Sequence, residues 1–208
     1  MARVTGSVCR YCRRAMMKLY LKGEKCFTDK CPVSRRMYPP GEHGRRYVKE
    51  SEYSLRLHEK QKARRMYGIL EGQFRNYYEL AARQKGVTGE NLLRLLETRL
   101  DNVVYRLGLG RSRSEARQLV GHGQMAVNGK RVDIPSFRVK QGDVISLTSR
   151  GGKLERIKES AALASQGEVP AWLEMDFEKI KAKVKEMPAR EDIVMDLSEQ
   201  LIVEFYSK

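Results

Sequence analysis

Apolar residues fall into helical register only after residue 50. Ser51 is placed to cap a helix running to about Met66. Its later part, Lys60-Gln61-Lys62-Ala63-Arg64-Arg65, is basic around most of its circumference, and Gly68 breaks it. A second helix carries Phe74, Tyr78 and Ala81 at helical spacing and stops at Gly86. The third has the most regular periodicity: Leu92, Leu96, Leu100, Val103 and Leu107, at intervals of 4, 4, 3 and 4, predict one continuous helix. Ser112-Arg113-Ser114-Glu115 then reads as a capping box, Ser112 serving the Glu115 amide and Glu115 reaching back. The short helix it opens holds Ala116, Leu119 and Val120 and ends at Gly121 or Gly123.

The period next changes to two. Met125 and Val127 alternate with polar residues, Asn128-Gly129 is a strong hairpin signal, and Val132 and Ile134 are expected on the return strand. Gln141-Gly142-Asp143 turns into a strand from Val144 to Leu147. Leu154, Ile157, Ala161 and Ala164 predict a helix. In the run 179–185, Ile180, Ala182 and Val184 alternate with four lysines, a strand with one apolar and one lysine face, ended by Pro188. Leu201, Ile202 and Phe205 predict a final helix capped by Ser198. There is no internal repeat and no low-complexity tract.

Residues 1–50 lack sustained periodicity. They hold four cysteines and the turn Tyr38-Pro39-Pro40-Gly41, and so few core formers need a staple to hold a shape. Charge narrows the partner. The 208 residues include 41 Lys and Arg against 26 Asp and Glu, a net charge of +15. Residues 1–50 hold 13 basic and 4 acidic side chains, residues 51–150 hold 19 and 10, and residues 151–208 hold 9 and 12. The first 150 residues therefore face a polyanion, and the tail suits protein contact. No apolar run is long enough to span a bilayer, and the N-terminus lacks the apolar core of a signal peptide. A cytoplasmic, reducing setting follows as the expectation, in which the cysteines are not disulfides.

The sharpest constellation is Cys9-x2-Cys12-x13-Cys26-x4-Cys31, which uses every cysteine in the chain. Two close pairs joined by a loop supply the ligands of a tetrahedral thiolate site. Zinc held there would be structural, since four thiolates leave no position for water. An iron–sulfur cluster uses the same four ligands and stays open as the alternative. The bland reading is four inert, unconnected thiols.

A second constellation runs from Arg99 to Arg131. A turn between two helices presents Arg111, Arg113 and Arg117 with Ser112 and Ser114, and the hairpin adds Asn128, Lys130 and Arg131. Phosphate contacts from such groups position a protein on RNA, and the polar groups meet its shape and 2′-hydroxyls. For any single residue the alternative is a solvated basic face. Basic and aromatic residues also interleave at Tyr38, His43, Arg45, Arg46 and Tyr47, where rings and guanidinium planes suit unpaired bases; Tyr53 reads instead as helix packing. His43 and His122 lie in glycine-rich loops with no carboxylate or nucleophile at telling spacing. No Walker loop, dinucleotide loop or His-Glu metal motif is present.

Leu96-Glu97-Thr98-Arg99-Leu100-Asp101-Asn102-Val103-Val104-Tyr105-Arg106-Leu107-Gly108, with Arg113 to Val120 and Val127-Asn128-Gly129-Lys130, resembles the RNA-binding domain named after the fourth protein of the small ribosomal subunit. Pseudouridine synthases, some tyrosyl-tRNA synthetases and a heat-shock protein of stalled ribosomes carry that domain too. The remaining motifs favour the ribosomal family itself, in its cysteine-containing, zinc-binding branch: Cys9-Arg10-Tyr11-Cys12-Arg13-Arg14, Lys18 to Gly23, Tyr38 to Gly44, Gly72 to Asn76 and Glu199 to Ser207. The likeness runs nearly end to end and leaves no length for a catalytic domain.

The resemblance implies an α+β fold: a zinc knuckle in 1–45, a helical domain from 46–97 completed by 190–208, and an inserted RNA-binding domain over 98–189 with a small antiparallel sheet packed on helices. It implies a non-enzymatic constituent of the small subunit that binds the 5′ domain of small-subunit ribosomal RNA at a multi-helix junction. Such a protein nucleates body assembly, touches the fifth small-subunit protein and other ribosomal proteins, bears on translational accuracy and in some members represses its own messenger. No membrane and no independent homo-oligomer is implied. The expected RNA contacts in the N-terminal half are Arg3, Lys22, Arg35, Arg36, Tyr38, His43, Arg45, Lys60, Lys62, Arg64, Arg65 and Arg75. Those further on are Arg99, Arg106, Arg111, Ser112, Arg113, Ser114, Arg117, Gln118, His122, Asn128, Lys130 and Arg131, with Glu199 and Glu204 expected to meet protein. The competing readings are an RNA-modifying enzyme, which lacks a visible catalytic motif, and a metal-dependent DNA-binding regulator, which needs a helix free to enter the major groove.

Overall fold

The computed structural model describes residues 6–46, 49–165, 167 and 169–207. The chain divides into two compact units, one of residues up to Leu92 together with those from Met195, the other Leu93–Val194.

In the first unit, α1 (Val8–Arg14) packs against the short α2 (Pro32–Arg35), and a 3-10 turn, Gly23–Cys26, lies between them in sequence. Then come α3 (Glu52–Met66) and α4 (Glu71–Ala82); the C-terminal α9 (Glu199–Tyr206) packs along α3. Ser51 starts α3 as predicted, its Oγ accepting the Ser54 N–H at 3.3 Å. At α9 the predicted side-chain cap is not made. Instead Ser198 donates its own backbone N–H to Glu59 Oε1 at 2.9 Å, which ties the start of α9 to α3. Aromatic rings join the helices: Tyr53 lies 5.8 Å from Phe205, and Tyr206 stacks 4.6 Å from Tyr78. Ile202, Phe74 and Ala81 are fully buried. A Cβ on Gly89, in α5 (Thr88–Glu97), would meet Glu199 Cγ at 2.7 Å, so only glycine admits the start of α9 this closely.

The second unit departs from the predicted single helix. The chain leaves α5 at Thr98 and Arg99 and starts again in α6 (Leu100–Arg106). The apolar spacing is continuous, but other bonds take the backbone. Thr98 Oγ1 donates to the Arg94 carbonyl at 2.9 Å, Arg99 adopts an extended ψ of 136°, and the Leu100 N–H turns to the Phe137 carbonyl at 2.8 Å. After it come α7 (Arg113–Gly121), the hairpin β1 (Met125–Val127) and β2 (Lys130–Val132), β3 (Val144–Leu147), α8 (Glu155–Ala164), β4 (Leu173–Asp176) and β5 (Lys181–Val184). Asn128 and Gly129 both hold positive φ, 51° and 76°, as their hairpin turn requires. Ile134 lies beyond the return strand, half exposed.

Among the described residues the strands form one antiparallel sheet in the order β2-β1-β3-β5-β4. Register sets the faces: Met125 opposes Leu147, and Ile145 opposes Ala182. Ala182 and Val184 are buried while Lys181 and Lys183 are exposed, the two-faced strand that alternation predicts. Ile180, with φ of 48°, falls outside it. β4 was not expected; it is the short edge strand that pairs with β5 through Met175 and Ala182. One core joins the helices and the sheet: Leu100, Val103, Val104 and Leu107 from α6, Ala116 and Val120 from α7, Ile157 and Ala161 from α8, and Met125, Ile145 and Val184 from the strands.

Candidate nucleic-acid interface and cysteine cluster

The basic face of the second unit is built on buried acids. Asp101 and Asn102 open α6 and are both buried. Asp101 holds Arg99 through two hydrogen bonds, at 3.0 and 2.6 Å, and accepts a third from Arg117 Nη1 at 3.0 Å. Glu97, also buried, takes a bidentate pair from Arg106 at 3.0 and 2.9 Å and a bond from Asn102 Nδ2 at 2.7 Å. The Asn102 Oδ1 in turn accepts from Arg113 Nε at 2.9 Å, and the Arg113 guanidinium lies 4.4 Å over the Tyr105 ring. The partners beneath fix the plane of each guanidinium, and a planar fork of fixed orientation is the group that suits phosphate. Arg106, Arg113 and Arg117 are thus three partly exposed guanidinium groups oriented from beneath.

The turn before α7 adds to this face. Ser112 Oγ accepts the Glu115 N–H at 3.3 Å. Glu115 reaches back to the Arg111 N–H at 2.9 Å, one residue earlier than a capping box places it. Ser112 is nearly buried and its hydroxyl sits 3.0 Å from that of Ser114, so Ser112 acts as a cap and Ser114 is the exposed member. Arg111 pairs with Glu159 at 3.3 Å on the surface. Gln118, His122 and Lys130 are exposed. Gly123 holds φ of 68°, and the Arg131 guanidinium fills the space a Cβ there would need. Only glycine lets Arg131 lie across the turn.

Several expected RNA contacts turn out to be structural. Arg99 is wholly buried and its guanidinium holds Asp101, so no RNA reaches it. Lys60 is buried with Nζ 2.8 Å from Glu71 Oε1 and 4.4 Å over the Phe205 ring. Its basic stretch of α3 is not solvated all round, because α9 covers one side. Asn128 remains exposed, but its amide bonds Asp143 at 2.8 Å and the Val144 N–H at 2.9 Å, tying the hairpin to β3.

The first unit offers more cations. Lys22, Arg35, Arg36, His43, Arg45 and Arg75 are exposed, with Arg75 on Glu79 at 3.1 Å. Two guanidinium groups lie over the Tyr38 ring, Arg13 at 4.8 Å and Arg45 at 4.9 Å from its centroid. Arg45 bonding, and the charges around it, lower the Tyr38 phenol pKa. Lys62 is drawn to Glu59 at 2.7 Å and Arg64 stands 3.6 Å from Glu71. Arg65 lies 4.7 Å over the Tyr11 ring, and burial pulls its pKa down. Arg3 lies outside the described residues.

Cys9, Cys12, Cys26 and Cys31 line one small cavity with Val8, Leu21 and Pro32. Cys12, Cys26 and Cys31 are buried, and the Lys22 N–H points at Cys26 Sγ from 3.4 Å. Burial raises the Cys12 thiol pKa. No disulfide joins the four. Among the described residues no group of three or more Cys, His, Asp or Glu side chains is closed into a formed metal site.

Sequence reasoning missed the acids that set the arginines. The signal was present as Glu97, Asp101 and Asn102, polar residues inside the chain's most apolar helical stretch. A buried charge is tolerated only when paired, so Glu97 and Asp101 each pointed to a cation held from below, and the buried Asn102 amide to a polar partner.

An all-apolar core beneath a row of buried-acid-anchored arginines, on a helix-turn-helix joined to a small sheet, defines a basic RNA-binding module. Two family models match the chain consecutively, the ribosomal protein S4/S9 N-terminal domain over residues 3–97 and the S4 domain over residues 98–145. The small ribosomal subunit protein uS4 of Thermodesulfovibrio yellowstonii is 57% identical over 208 residues, covering all of both chains. The uS4 proteins of Pelotomaculum thermopropionicum and Acetivibrio thermocellus are 60% and 59% identical over the same full length. The chain belongs to the uS4 family of bacterial small ribosomal subunit proteins.

Proposed function

We propose that this chain is a structural constituent of the bacterial small ribosomal subunit, working in the cytoplasm on the ribosome, that binds small-subunit ribosomal RNA and does no covalent chemistry. The observation that carries the reading is the arginine row of the second unit, Arg106, Arg113 and Arg117, each anchored on a buried Glu97, Asn102 or Asp101. Pre-oriented guanidinium groups bind phosphate with little ordering cost. Exposed cations on the first unit extend the same chemistry over a second body. Charges so distributed suit holding several RNA helices, whereas an active site would gather polar groups in one pocket.

More specifically, the RNA is the 5′ domain at a multi-helix junction, and binding there nucleates the body of the particle. The acidic tail, with Glu199 and Glu204, meets the fifth small-subunit protein and through it bears on accuracy; repression of its own messenger would use the same RNA-binding face. Support comes from the tail's acidic balance and the family's full-length likeness. Adding the protein to a 5′-domain RNA fragment should protect a junction from chemical probing and raise its melting temperature by mass action. A fragment recovered cleaved or modified would contradict the reading.

We propose that the four cysteines take up a tetrahedral ion, drawing together on it, since they are not already gathered into a formed site. Their shared cavity has an apolar lining, and a backbone N–H already addresses one sulfur, the bond that steadies a thiolate. Cys9, Cys12, Cys26 and Cys31 would hold zinc, with an iron–sulfur cluster the alternative on the same ligands. Bound there, the ion supplies folding energy to a segment with few core residues.

A further inference from the structure

Phe27 and Tyr20 form an aromatic pair on the surface of the cysteine-bearing segment, their ring centroids 5.0 Å apart and their planes 31° from parallel. Phe27 is 74% exposed and Tyr20 40%. Leaving two rings in water forgoes the burial that usually positions them. The backbone nonetheless holds them in place. Tyr20 has a φ of 50°, a left-handed conformation that bulky side chains rarely adopt. Phe27 terminates the 3-10 turn Gly23–Cys26, its N–H on the Glu24 carbonyl at 3.0 Å, so the turn that sets Cys26 in its cavity also sets this ring. Exposed Lys22, Lys25 and Lys30 flank Phe27 in sequence, with Glu24 and Asp29 as the only acids in that stretch. The segment therefore presents exposed rings among residues of net positive charge.

We propose that this pair is a stacking platform for an unpaired RNA base, Phe27 receiving the base face while Lys22, Lys25 and Lys30 receive the adjoining phosphates. The inference rests on the RNA-binding reading and adds a single-strand contact to it. A π-face meets any base, so the platform is indifferent to sequence. A protein partner is disfavoured by the lysines, since interface centres are depleted in them.

The test uses the full chain and a short fluorescein-labelled oligouridylate, which forms no helices of its own. Phe27→Ala should weaken binding about tenfold, within the range for removing one base-on-aromatic stack. Phe27→Leu, which keeps apolar area without a ring, should lose nearly as much. Phe27→Trp should keep the affinity and show fluorescence quenching on binding; Trp172, 3% exposed, is shielded from the RNA. None of these removes a charge, so the salt dependence of binding should keep its slope. Unchanged circular dichroism of each variant keeps the comparison fair, and the tryptophan signal serves if the alanine variant misfolds. Wild-type affinity in Phe27→Ala, full affinity in Phe27→Leu, or no quenching in Phe27→Trp would each overturn the platform. Binding of the 5′-domain fragment, measured alongside, reports the RNA reading separately: if it persists while Phe27 proves irrelevant, the platform alone fails and the patch falls to a protein partner.

Discussion

Arg99 and Asp101, two residues apart at the start of α6, form a buried fork in which both carboxylate oxygens take a hydrogen bond from one guanidinium, at 3.0 and 2.6 Å. Arg117 joins the same carboxylate at 3.0 Å from the solvent side. One acid therefore serves the core and the binding face at once. Its negative charge neutralises a cation that no solvent reaches and aims another that solvent, or RNA, does reach.

Asp101→Asn should therefore fail in stability first. It removes the charge that pairs a wholly buried guanidinium, a loss of about 3–5 kcal/mol for a broken buried pair. Arg117→Ala should behave differently, costing about 1.5–3 kcal/mol, the scale of one hydrogen bond to a charged group, because Asp101 keeps its fork from Arg99, yet weakening RNA binding. Urea melts and RNA titrations of both variants separate the two roles. Equal stability losses would mean that Arg117 belongs to the core.

The two kinds of cation should also part in salt titrations. Arg111→Ala and Lys130→Ala, both at exposed positions, should each reduce the slope of log affinity against log salt by about 0.7–0.9, one phosphate contact. Lys60→Ala should leave the slope alone and lower the melting temperature, because its ammonium is spent on Glu71 and two aromatic rings. A slope change for Lys60→Ala equal to that of Lys130→Ala would return Lys60 to the RNA face.

That contrast shows where the sequence was legible. Ser51, Ser112 and Asn128-Gly129 were read correctly because each depends on bonds within a few residues, and the lysine-faced strand because alternation marks its two faces wherever its partners lie. The break at Thr98 and Arg99 was not, because the apolar spacing runs through it. What opens the helix is the Leu100 N–H on Phe137 and the Val139 N–H on Thr98, partners some forty residues away. Lys60 was misread for the same reason: the rings that cover it, Phe205 and Tyr206, arrive from the far end of the chain. β4 is only four residues long and exists by pairing with β5, across a turn in which Asp176 Oδ1 accepts the Glu178 and Lys179 N–H groups. For the site, the arginines were visible in the sequence and the acids holding them were not, since charge alone does not tell a buried carboxylate from a solvated one.

The Glu71 carboxyl gives a pH dependence with a definite sign. Burial pushes its pKa up, but the hydrogen bonds from Lys60 and Tyr206, with the charges of Lys60 and Arg64, outweigh this and leave it below the ordinary 4.5. Burial, aided by Glu71, raises the Tyr206 phenol pKa, so the phenol keeps the proton it donates at 2.7 Å. A lowered carboxyl contributes stability that is present above the unfolded value and is lost as pH falls through the folded one. Glu71→Gln should thus lower the melting temperature at neutral pH, and the gap from wild type should narrow as pH drops below 4.5. A gap constant down to strongly acid pH would show that the charge of Glu71 contributes nothing.

Metal content tests the cysteine cavity. Protein purified without air should carry about one zinc per chain, or show the absorption of an iron–sulfur cluster. Cys12→Ser and Cys31→Ser should each lower occupancy and loosen the N-terminal segment, seen as faster proteolysis between α1 and α2. Metal-free protein with that segment equally resistant would exclude the ion as its staple.

The tail poses the sharpest separation between RNA and protein contact. Glu204 Oε2 accepts from Arg56 Nε at 2.7 Å, yet half of the Glu204 side chain stays exposed. Arg56 also holds Glu52 at 3.0 Å, so it keeps a partner when Glu204 is changed. Glu204→Lys should therefore cost little in folding, as for other surface pairs. The reversed charge should loosen binding to the fifth small-subunit protein and leave affinity for the 5′-domain RNA within about twofold, the scale of a rim charge. Arg56→Ala is the control, since it breaks the same pair while leaving the Glu204 charge in place. If Arg56→Ala loosens the protein contact as much as Glu204→Lys, the effect runs through the seating of α9. If Glu204→Lys spares the protein contact and instead changes RNA affinity, the acidic tail has been given the wrong partner.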